Sequence, residues 1–229
     1  VLGGGVGESS SLLANLSAYW KLENLVDSTP NGNNLTNSGG TTFAAGKVNN
    51  ASNFVAASSQ NLNIVDNAYL SFGDIDFAID GWVKLTDKLG TYAIVGKWAG
   101  GGEREYLIRY NPSTVDRFSF YISNDGTAVL TVDADNFGSP TAGVWYYFYA
   151  YYDSVNNIAG ISINNGTANT KSQTGGAYDG TQPFRIGADG GVVSYMNGMI
   201  DEVGVWKRLL TPIELATRYN GGAGNTYPF

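Results

Sequence analysis

The chain has 229 residues, of which 43% are hydrophobic and 14% charged, with 31 glycines and a formal net charge of -7. It contains neither cysteine nor histidine, which excludes disulfides, thiol chemistry, the usual zinc ligand and the commonest general base. The acidic balance opposes nucleic acid and anionic membranes as partners, and no apolar run approaches a membrane span.

The opening, Val1-Leu2-Gly3-Gly4-Gly5 and then Ser9-Ser10-Ser11, is Gly/Ser-rich. It predicts a linker or lead-in over 1–15, cut or processed from a longer polypeptide or introduced by cloning design. It shows no cationic start followed by an apolar core, so no signal peptide is expected in it. Strands are predicted over 18–22, 51–54, 61–64, 77–85, 92–97, 105–110, 117–123, 129–133, 145–153, 158–163, 184–188 and 200–206. Turn-rich stretches separate them, and Asn165-Gly166 reads as a hairpin signal. Many short strands joined by turns predict a two-sheet sandwich. The absence of a repeat or composition break predicts one domain over 16–229. Within 77–85, Phe77, Ile79, Gly81 and Val83 share one face, and Ala78, Asp80, Trp82 and Lys84 the other. The 117–123 strand splits likewise, with Phe118, Phe120 and Ile122 opposite Ser119, Tyr121 and Ser123. In 145–152 both rows are aromatic: Trp145, Tyr147, Tyr149 and Tyr151 against Tyr146, Phe148, Ala150 and Tyr152. One row is expected in the core and the other on a surface. The last strand leads into Thr211-Pro212-Ile213-Glu214, a capping box with proline at the first helical position.

Several segments together resemble LamG-like jelly-roll domains of the concanavalin A-like lectin/glucanase superfamily. They are Ala18-Tyr19-Trp20-Lys21-Leu22-Glu23, Asp27-Ser28-Thr29-Pro30-Asn31-Gly32-Asn33, Phe77-Ala78-Ile79-Asp80-Gly81-Trp82-Val83-Lys84 and Gly198-Met199-Ile200-Asp201-Glu202-Val203-Gly204-Val205-Trp206. They occur in that family's order over about residues 16 to 220. The run 12–22 is similar to openings of phage-encoded members. The resemblance implies an all-β, concanavalin A-like jelly-roll β-sandwich of two antiparallel sheets with a short C-terminal helix. It implies no single function, because this fold hosts lectins, hydrolases, lyases and structural modules.

Glycoside hydrolysis needs two carboxylates flanking the scissile bond. The superfamily's glucanases carry Glu-x-Asp-x-x-Glu on one strand, a string absent here. Glu103 and Glu105 alternate but lack the third acid, and Asp74 and Asp76 precede an apolar strand where turn roles are expected. The lyase motifs are missing too, so no catalytic residue is assigned. The loop 27–33 offers oxygen ligands of mixed type, which suits calcium. The resemblance implies a structural Ca²⁺ between this loop and an acid of the last strand, with Asp27, Asn31, Asn33, Gly46 and Asp201 as candidates. The competing reading gives Asp27 and Asn31 to Asx-turns and Asp201 to backbone hydrogen bonds. Sugar binding needs a flat apolar surface with polar groups beside it. Asp80, Trp82, Tyr147, Tyr149 and Tyr151 are the candidates on a presumed concave sheet, with Trp98, Arg104 and Tyr106 as a rim. Core packing is the competing reading for each, and Trp20, Trp145 and Trp206 are expected in the core.

The expectation is therefore a non-catalytic carbohydrate-binding or adhesion module of a larger extracellular or virion protein, with a glycan or polysaccharide as partner. Its rival is a structural module of a phage tail, capsid or cell surface that packs against itself or a neighbouring protein. A polysaccharide-active enzyme comes third.

Overall fold

The computed structural model describes residues 11–229 apart from Thr114 and Val192. In chain order the strands are β1 (Leu16–Trp20), β2 (Thr36–Ser38), β3 (Thr42–Ala45), β4 (Asn50–Phe54), β5 (Asn61–Ile64), β6 (Phe77–Leu85), β7 (Tyr92–Trp98) and β8 (Arg104–Asn111). They continue with β9 (Arg117–Gly126), β10 (Leu130–Asp133), β11 (Trp145–Asp153), β12 (Ile158–Ile163), β13 (Asn169–Ser172), β14 (Phe184–Ile186) and β15 (Gly198–Trp206). A helix, α1 (Pro212–Tyr219), follows.

Two antiparallel sheets form. One has eight strands, ordered β13-β12-β11-β6-β15-β4-β3 with β1 also pairing β15; the other has seven, ordered β10-β9-β8-β7-β14-β5-β2. Between them lies one apolar core. Its eight-stranded side supplies Phe77, Ile79, Val83 and Phe148, and its seven-stranded side supplies Ile108, Phe118, Phe120 and Ile122. Gly81 lies in this layer because an added Cβ would stand 2.8 Å from the Phe148 ring. The period-2 alternation read from 77–85 and 117–123 thus selects the inward row correctly. No helix of the described residues is long and apolar enough to cross a membrane.

The capping box forms as expected: the Thr211 hydroxyl accepts from the Glu214 amide, and Glu214 accepts from the Thr211 amide. Although burial pushes Glu214 upward, hydrogen bonds from Arg208 and the Thr211 amide hold its carboxyl at about 2. The hairpin joining β12 to β13 turns through Asn164 and Asn165, both at φ 54, a conformation asparagine tolerates. Strands β2, β3 and β13 were not anticipated. They are short and lie at sheet edges, β2 and β13 polar and β3 exposed along its length, where no buried face imposes an apolar alternation.

Of the expected linker or lead-in, residues 1–10 lie outside the described residues. Leu12 is buried, and its carbonyl accepts from the Trp206 indole at 2.9 Å, while residues 13–15 are exposed. The chain just before β1 is thus anchored to the domain through Leu12. Trp20 and Trp206 are core residues as expected, whereas Trp145 is half-buried under the Lys84 ammonium.

Candidate functional site

Pairing of β6 with β11 places Trp82 opposite Tyr147, Asp80 opposite Tyr149 and Ala78 opposite Tyr151, on the outer face of the eight-stranded sheet. The shared face is as expected; its expected exposure is not, since Asp80, Trp82 and Tyr147 are buried. Helix α1 and the chain after it lie across this face. Asp80 is fully buried and receives Arg218 Nε at 2.9 Å, Arg218 Nη2 at 3.0 Å and the Tyr147 hydroxyl at 2.6 Å. Tyr219 stacks on Trp82 at 5.8 Å, and Lys47 stands 4.6 Å from the same ring. Arg218 also donates to Tyr19 Oη and to the carbonyls of Glu202 and Asn225. Asp80, Trp82 and Tyr147 therefore form a sealed charged layer beneath the helix, not an open binding face.

Tyr149 and Tyr151 stand at the margin of that cover. Their rings stack at 5.3 Å, and both line a groove of about 290 Å³ with Asp153, Ser162, Asn165 and Leu215. Tyr149 is buried and accepts from the Leu210 amide, while Tyr151 is half-buried, its ring lying over Gly160 where any side chain would clash. Tyr106 belongs to the interior. Its hydroxyl donates to the Leu70 carbonyl at 2.6 Å and its ring packs on Phe72 and Phe77. A register shift between Arg104 and Tyr106 separates the two, so Tyr106 does not share the rim expected for it beside Trp98 and Arg104.

The outer face of the seven-stranded sheet is different. Trp98, Arg104 and Arg109, each half-buried, lie around Tyr121, which is only 7% exposed. The Arg104 guanidinium stands 6.0 Å from the Trp98 ring, Trp98 meets Tyr121 edge-on at 5.9 Å, and the Arg109 guanidinium lies 4.1 Å over Tyr121. Ala93 and Leu107 form the floor with Tyr121. Strand register continues the surface sideways: Tyr121 pairs Leu107, Leu107 pairs Gly96, and Gly96 pairs Arg185. Arg109 Nη2 donates to Tyr121 Oη at 3.0 Å, while its buried Nε has no partner. Apolar plates edged by donors suit the C–H face and hydroxyls of a sugar ring. Tyr121 carried a signal in the sequence, as the aromatic of a serine-flanked row. Arg109 carried none.

Glu103 and Glu105 both reach Gly180, where an added Cβ would stand 2.7 and 3.2 Å from their carboxylate oxygens. Glu105 is fully buried beside Lys97, at 2.9 Å, and Glu103 accepts from the Thr181 amide. Asp74 accepts from Tyr152 Oη and Asp76 from Ser154, so both tie down loops.

The calcium set divides. The Asp27 carboxylate already accepts from the amides of Tyr19, Thr29 and Asn33 and from the Thr29 hydroxyl, at 2.9 to 3.0 Å. Asn31 and Asn33 donate their side-chain NH2 groups to the Ser17 carbonyl. Asp27 thus forms the Asx-turn to Thr29 with four donors on its two oxygens, whereas Asn31, among the described residues, forms none and acts as a donor to β1. Asp201 differs. Its Oδ2 accepts from the Lys47 and Val48 amides, beside Gly46, but its buried Oδ1 has no partner. Among the described residues, no group of three or more Asp, Glu, His or Cys side chains could hold a metal.

A family model described as the concanavalin A-like lectin/glucanases superfamily matches residues 56–216. Among solved structures, domain 4 of AbnA, an extracellular arabinanase from Geobacillus stearothermophilus in complex with arabinotriose, is 18% identical, with a TM-score of 0.67 over 92% of this chain and 98% of that one. The binding domain of Paraclostridial Mosquitocidal Protein 1 is 14% identical with a TM-score of 0.71, over 91% of this chain and 52% of that one. A botulinum neurotoxin type C structure is 10% identical with a TM-score of 0.72, over 95% of this chain and 54% of that one. The chain thus spans about half of each toxin chain. At these identities the likeness shows the fold. No curated protein matches the sequence.

Proposed function

The chain belongs to the concanavalin A-like lectin/glucanases superfamily, and from that premise we propose that it is a non-catalytic glycan-binding module of a larger extracellular or virion protein. The observation that carries this reading is the strip of Trp98 and Tyr121 between Arg104 and Arg109. It offers the half-buried Trp98 ring with guanidinium edges, backed by the buried Tyr121, on a sheet face that α1 does not cover. The arabinanase domain solved with arabinotriose and the type C toxin, whose cell entry depends on two ganglioside molecules, lend support by fold. The same reading leaves chemistry aside: Glu105 has no exposed surface, so it cannot meet a substrate beside Glu103.

A glycan array probed with the wild-type chain is expected to show retained glycans. Trp98→Ala should weaken the strongest of them by about tenfold or more, as loss of a stacking aromatic does at a binding hot spot. An array without signal, or one indifferent to Trp98→Ala while the variant keeps its melting temperature, would remove the proposal or move its site.

Calcium enters as a separate proposal, confined to Asp201 and the backbone at Gly46. The unpartnered Asp201 Oδ1 supports it; the Asp27 loop does not. A cation there would join β15 to the turn before β4 and so stabilise the fold by mass action. Adding EDTA is expected to lower the melting temperature, and calcium to restore it. An identical melt in both conditions excludes the site.

A further inference from the structure

The seven-stranded face carries a charge pattern that a neutral sugar does not require. Arg104, Arg109 and Arg185 all project from it, and none is ion-paired among the described residues. This stands out on a chain with 20 acids against 13 Lys and Arg. The acids bordering the face are engaged elsewhere. Asp133 accepts from Ser119 Oγ at 2.6 Å, Asp125 from Thr127 and Ala128, and Glu103 from Thr181. Asp189 accepts from the Val193 amide and supports Arg185 by its charge, from beyond ion-pair distance. Arg104 spends one nitrogen on the Thr127 carbonyl at 2.6 Å, and Arg109 one on Tyr121 Oη. Stacking on an aromatic ring fixes a guanidinium plane and leaves its N–H edge free. That edge matches the paired oxygens of a carboxylate or a sulfate.

We infer that the glycan taken by this strip is acidic, bearing carboxylate or sulfate groups that Arg104 and Arg109 receive while Trp98 supports the ring. The inference rests on the glycan-binding reading above and names its ligand class. Arg185, beyond the side-chain-free Gly96, extends the same surface toward β14. A polymer with an acid on every residue could therefore engage the strip at more than one sugar.

The test uses matched pairs on affinity gels: polygalacturonate against its methyl ester, chondroitin 4-sulfate against chondroitin, and sialyllactose against lactose. The charged member of at least one pair is expected to retain the chain about tenfold or more strongly than its partner, with retention falling as salt is raised. Which pair responds separates uronate, sulfate and sialic acid. Arg104→Gln and Arg109→Gln should each abolish that preference and leave the melting temperature unchanged, since both side chains reach solvent. Equal retention of charged and neutral members, or retention of none of the charged ones, overturns the inference. Neutral hits on the glycan array would then leave the glycan-binding reading standing; a silent array would remove both.

Discussion

Replacing Arg218 with alanine is expected to cost about 3–5 kcal/mol of folding stability, because it leaves a carboxylate buried without its counter-charge. Arg218 and Asp80 are both fully buried, and the guanidinium fork meets the carboxylate with two nitrogens. The same side chain also donates to Tyr19 and to the carbonyls of Glu202 and Asn225. It therefore fastens α1 and the segment after it to β1, β6 and β15 at once. Tyr227 and Phe229 complete the cover against the Tyr19 ring, at 5.8 and 5.1 Å. In a domain of this size the loss corresponds to roughly 10 °C in melting temperature. Trp82 and Tyr147 should become accessible, so tryptophan emission should shift to the red. The pair Asp80→Asn with Arg218→Met should cost less than the two changes summed, since it removes the charge along with its partner. A drop below about 1 kcal/mol for Arg218→Ala would mean that the helix is held by apolar contact alone.

Stability should fall as pH rises from about 5 to 8.5, the reverse of a protein dominated by carboxylates held ionised. The Lys97 ammonium faces two carboxylates, Asp66 at 2.6 Å and Glu105 at 2.9 Å. One positive charge satisfies only one of them at low cost away from water. Asp66 retains 34% exposure, whereas Glu105 has none and its Oε2 lacks a partner. Burial pushes Glu105 up to about 8 despite Lys97. Burial likewise raises Asp201 to about 8 and Glu202 to about 7. These acids are raised in the folded chain, so their stabilisation is complete below the unfolded pKa near 4 and is lost as pH climbs through 7 to 8. Each contributes a slope of up to about 1.4 kcal/mol per pH unit in that window. Urea unfolding across pH in the presence of EDTA reads the slope directly. Glu105→Gln, which keeps the shape without the titrating proton, should flatten it by one group's share. A stability that is level or rising between pH 5 and 8 would show that these carboxyls are ionised in the fold.

Much of the sandwich was legible because its rules are local. Alternation in 77–85 and 117–123 marked the inward rows, Asn165-Gly166 marked the turn between β12 and β13, and Thr211-Pro212-Glu214 marked the start of α1. The strands that escaped, β2, β3 and β13, are three or four residues long and bury no full face, so they write no alternation. The candidate site was legible only in fragments. Trp98 and Arg104 were named, but Tyr106 was grouped with them by nearness in sequence, and the register shift beside Arg104 sends it inward. Asp27 was assigned to calcium, although its loop had enough backbone donors of its own to satisfy it.

The sequence by itself determined the class of fold, the inward rows and the start of the closing helix. It also removed imidazole and thiol chemistry from consideration. Only the tertiary structure decided which outward row meets water. Period-two alternation sorts side chains onto faces, but it is silent about what lies on top of a face. Here a single buried arginine, 138 residues along the chain from its carboxylate, draws α1 over the aromatic face of one sheet. That leaves Trp98 and the arginines beside it partly open on the other.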